Sequence, residues 1–77
     1  MPNYECRPEW PLDLRLAEDA RFCSACWVEL LEAKLHRAEP EEFDNLYDLL
    51  LKAKQDEARD TWAVANRKLD FETRRRR

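Results

Sequence analysis

Glycine is absent from all 77 residues, where average usage would supply about five. Glycine is the usual residue of left-handed turns, β-bulges and phosphate-cradling loops. Its absence argues against hairpin-rich sheets, P-loops, Rossmann turns and the tight knuckles of zinc ribbons. Long apolar runs are also missing. The longest falls far short of the ~20 residues a membrane span needs. Residues 1–11 carry Glu5, Arg7 and Glu9 and lack the apolar stretch of a secretory signal. The expectation is a cytoplasmic protein whose three cysteines are reduced.

Histidine is scarce as well. His36 is the only one, and no serine or positioned thiolate beside it completes a nucleophile–base pair. The acidic pairs Glu41/Glu42 and Asp56/Glu57 have no histidine at the i,i+3 spacing of helical di-metal sites, so they read as solvated helix faces. These gaps exclude a self-contained enzyme at the level of sequence, and no cofactor is implied.

Charge is abundant: 40% of the residues are charged, and the net charge is -3. Without the four arginines Arg74–Arg77 that value becomes -3 - 4 = -7. The body is therefore acidic and the basic charge sits at one end. High charge combined with apolar periodicity predicts a helical bundle rather than disorder.

Three prolines, Pro2, Pro8 and Pro11, make residues 1–11 an irregular arm, whose Tyr4 and Trp10 are expected to fold onto the helices. Helix one is predicted over about 12–37. At 100° per residue, Leu12, Leu16, Ala20, Cys23, Trp27, Leu30 and Leu31 share one face, which Leu14, Ala17, Val28 and Leu35 widen. Pro40 breaks the pattern and opens helix two, predicted over about 41–71 with a stripe of Phe43, Leu46, Tyr47, Leu50, Ala53, Ala58, Trp62, Ala65 and Leu69. So short a link forces an antiparallel hairpin, with Leu50 and Leu30 equidistant from Pro40 and facing each other. The fold class is all-α: one helical-hairpin domain over residues 1–73, followed by a basic tail over residues 74–77.

The apolar arc exceeds what one partner helix covers. Trp27, Leu31, Leu35, Leu49, Trp62 and Phe71 are assigned to a partner-binding surface or dimer seam. Two hairpins paired as a four-helix bundle would bury this excess. The favoured function is a small regulator or inhibitor that occupies a surface of a larger host protein. The composition suits an accessory protein of a phage or bacterium.

The alternative is a nucleic-acid-associated regulator acting through Arg74, Arg75, Arg76 and Arg77, though the acidic body opposes DNA and no aromatic residue interrupts the arginines. The Cys23-x-x-Cys26 pair reads as small core residues. The metal alternative joins it with Cys6 and Asp19 as zinc ligands, since His36 lies ten residues past Cys26, about 15 Å along a continuous helix.

Overall fold

The computed structural model describes residues 2–75. They form two helices, α1 (Leu12–His36) and α2 (Pro40–Arg75), and no strand among the described residues. At the start of α1 the Pro11 carbonyl accepts the amides of Leu14 and Arg15, both at 3.1 Å. Asp13 stands in the first turn, and Lys34 and His36 in the last, each sign favourable to the helix dipole. Proline opens α2, where its missing N–H costs nothing, and Glu41 and Glu42 follow in the first turn.

The chain reverses over Arg37, Ala38 and Glu39. The amides of Arg37 and Ala38 close back on the carbonyls of Lys34 and Leu35. No described residue takes a positive φ, so the reversal needs no glycine. Helix two runs four residues beyond the expected end at Phe71. Arg74 pairs with Asp70 one turn earlier at 3.1 Å, and both arginines in the last turn face the negative end of the dipole.

The helices pack along a line other than the expected one. On α1 the buried residues are Leu14, Glu18, Ala25, Val28 and Leu31. Leu12, Leu16, Trp27 and Leu30, expected as the main core stripe, are exposed. Leu14 and Leu16 point about 200° apart on a helix, so only one of them can face α2. Of the residues read as widening the face, Leu14 and Val28 lie in the true seam, and Leu31 of the main stripe joins them. Along α2, Leu50, Ala53 and Val64 are buried, with Leu46, Glu57 and Asp60 half-buried. Positions 46, 50, 53, 57, 60 and 64 alternate steps of four and three, the repeat of helices that pack at a shallow angle. Leu50 accordingly packs against Val28, Leu31 and Ala53, and not against Leu30, which is exposed.

Two apolar clusters hold the hairpin. Near the reversal are Val28, Leu31, Leu50 and Ala53, with Leu35 and Leu46 packed on them. At the open end are Trp10, Leu14 and Val64, with Ala17 and Phe71. Polar groups lie between the clusters. Glu18 is 1% exposed, and both its carboxylate oxygens accept from Arg21 Nε at 3.1 Å. The Arg21 Nη2 group also donates to Glu18 and to the Asn3 carbonyl. Beyond it the Ser24 hydroxyl donates to Asp60 on the other helix.

Truncating the buried Leu50 removes contacts at the centre of one cluster. Leu50→Ala is expected to lose about 2–5 kcal/mol, against at most about 0.5 kcal/mol for the exposed Gln55→Ala; urea unfolding followed by circular dichroism measures both. Asp56, expected to lie opposite the seam, is half-buried and does not serve as that control. A second expectation concerns the buried ion pair. Arg21→Met strands the Glu18 carboxylate and should cost about 3–5 kcal/mol, whereas Glu18→Leu/Arg21→Met together should be the milder change, because no buried charge is left unpaired. Equal losses in the single and double variants would show that the pairing itself matters little.

Candidate interaction surface

The segment before α1 is fastened to the hairpin by named contacts. The Glu5 amide donates to Glu18 Oε1 at 3.2 Å, and the Tyr4 hydroxyl donates to Asp19. The Tyr4 ring meets Phe22 edge-on, with centroids 5.0 Å apart. Trp10 is buried, and Lys68 Nζ stands 5.0 Å from its ring centroid. Lys68 also bonds the Glu5 carboxylate at 3.3 Å. That bond is the leading cause holding the Glu5 carboxyl below its ordinary value of 4.5. The bond to Asp19 is the leading cause raising the Tyr4 hydroxyl above its ordinary value of 10.0. Both follow from hydrogen bonding to a charged neighbour.

With the seam and these contacts in place, two apolar stripes remain uncovered. The first lies on α1, away from α2: Leu12, Leu16 (56% exposed), Trp27 and Leu30, with Ala20 and Cys23 exposed between them. The second lies on α2: Tyr47, Leu51, Trp62 (68% exposed) and Leu69, with Ala58 and Ala65 between them. Phe43 extends it by one turn, its ring stacked on Tyr47 at 6.1 Å. Single exposed apolar residues are ordinary, but stripes of this length mark interaction sites.

The residues expected at a partner surface divide between the inside and the outside of the hairpin. Trp27, Leu49 and Trp62 are exposed. Leu31 is 1% exposed in the cluster near the reversal, with Leu35 packed beside it. Phe71 packs on the cluster at the open end. These three serve the hairpin's own interior, because the true seam passes through them. Tyr47 and Leu51 of the second stripe were missed as surface residues. Tyr47 was read into the core stripe with Ala58, Trp62 and Leu69, and Leu51 was not singled out, although its spacing from them carried the signal.

Cys6 and Cys23 are exposed, and Cys26 is half-buried, so the Cys23-x-x-Cys26 pair is not the packed core pair expected. Among the described residues no three His, Cys, Asp or Glu side chains are placed to hold one metal ion. The set Cys6, Cys23, Cys26 and Asp19 is thus not assembled, and Asp19 instead accepts from Tyr4. His36 stands twelve residues past Ser24, about 18 Å along α1, so it does not join the Ser24–Asp60 pair. Of the arginine tail, Arg74 and Arg75 continue α2, while Arg76 and Arg77 lie outside the described residues. No helix among the described residues is long and apolar enough to cross a membrane.

The depressed Glu5 carboxyl fixes a pH dependence. The Glu5–Lys68 contact contributes fully above Glu5's ordinary value of 4.5, and that contribution is lost as the pH falls through the lower folded value. In thermal melts between pH 6 and pH 3, the native protein should lose more of its Tm than Glu5→Gln. Parallel curves would show that the contact adds nothing. In comparisons with known proteins, no family model, curated protein or solved structure matches the chain.

Proposed function

We propose that this chain is a protein-binding module without catalytic activity, a small cytoplasmic regulator or inhibitor that occupies a surface of a larger partner with the outer stripe of α2. The observation that carries this reading is Trp62, 68% exposed in mid-stripe. Tryptophan is the residue type most often found as an interface anchor, and here the hairpin leaves it in water. A stripe at positions 51, 58, 62, 65 and 69 suits a helix laid in a groove. Since residues 1–73 carry a net charge of -7, the complementary partner has an apolar groove with a basic rim. The hairpin, with its irregular N-terminal arm, is read as pairing with a second copy into a four-helix bundle that leaves this stripe free.

A photo-crosslinker placed at the exposed position 58 of the stripe, in the otherwise native chain and in each variant, tests the reading in lysate of the source cell. A partner captured by the native protein should be lost with Trp62→Glu and kept with Gln55→Glu. In purified form its affinity should fall at least about 30-fold with Trp62→Ala, the mark of an anchor residue. Equal capture by both variants would overturn the reading. Binding to DNA or RNA whose affinity falls steeply with salt would instead support action through the arginine tail.

A further inference from the structure

We infer that the outer stripe of α1 is an interface between two copies of this chain, the two α1 helices running antiparallel about a two-fold axis that passes between Ala20 and Cys23. This rests on the four-helix pairing proposed above and assigns it a surface and a register.

The area supports a second copy as the occupant. The chain exposes 6119 Å², whereas a compact monomer of 9.3 kDa exposes about 5,000 Å². The excess, about 1,100 Å², exceeds the roughly 800 Å² per partner of a standard interface. It arises from the rod shape, 56 × 18 × 14 Å, which leaves the outer sides of both helices uncovered, the α1 side among them.

The stripe is also self-complementary in order. A two-fold axis pairs residue i with residue j and j with i. If Ala20 faces Cys23 of the second copy, then Leu16 faces Trp27, and Leu30 falls opposite position 13, one residue from Leu12. All six positions are exposed in the hairpin. Positions 16, 20, 23, 27 and 30 step by four, three, four and three, the repeat that keeps a seam facing its partner. The small residues at the centre let the backbones approach. The large pairs on either side fill the widening gap, each tryptophan lying over a leucine. Antiparallel pairing also sets opposite dipole ends of the two α1 helices together.

Sedimentation equilibrium on the full chain tests surface and register together, with helix content checked by circular dichroism. The native protein should sediment at twice 9.3 kDa. Leu16→Glu alone should give the monomer with unchanged helicity, because Leu16 takes no part in the hairpin seam. Trp27→Lys alone should do the same. Leu16→Glu/Trp27→Lys should restore the dimer, since each glutamate then meets a lysine of the second copy, and raising the salt concentration should weaken it. Trp62→Glu should remain dimeric, which separates this interface from the partner-binding stripe of α2. A monomeric native protein would overturn the inference. So would a dimer broken by Trp62→Glu and not by Leu16→Glu, or a double variant that stays monomeric.

Discussion

The buried contact between Glu18 and Arg21 is the constraint on which the arrangement depends. A carboxylate cannot stay charged inside a two-helix seam without a partner and further donors. Arg21 supplies the partner, and the Glu5 amide supplies another donor from the segment before α1. That segment must therefore lie along the hairpin, and Trp10 follows it onto Leu14 and Val64. A seam of small and polar residues at its middle leaves the apolar work to its two ends. The hairpin consequently has two separate clusters instead of one continuous core.

The polar middle also bears on specificity. Uniformly apolar stripes can slide past one another in register, whereas Ser24 finds Asp60 in only one alignment of the helices. Partly buried polar groups used in this way help to fix register. The three-residue reversal fixes the same register from the other end.

The two helices and their reversal were legible in the sequence, because Pro40, the dipole-ordered charges and the helical spacing agree. The seam was not. Helix one carries two apolar stripes about half a turn apart, and periodicity alone gives both the same weight. The stripe with the larger residues, Leu12, Leu16, Trp27 and Leu30, is the one left outside. The true seam was hidden because Glu18, Arg21 and Ser24 interrupt it, and a charged position reads as surface until its partner is seen. Trp62 was placed both in the main stripe of α2 and at a partner surface, and the outward company of Tyr47 and Leu51 emerged only once Leu50 and Ala53 were known to point inward.

The bond between Glu5 and Lys68 joins positions 63 residues apart, and Trp10 closes over Val64 and Phe71, which lie 64 - 10 = 54 and 71 - 10 = 61 residues further along. On a ribosome, the first of these groups emerges long before the last. The segment that carries Glu5 and Trp10 cannot be fastened there until the part of α2 that carries Val64 and Lys68 has followed it. The two helices can meet at their reversal well before that, so closure proceeds from the turn towards the open end. Trp10 cannot take its place before the stretch of α2 that carries Val64 and Phe71 is within reach.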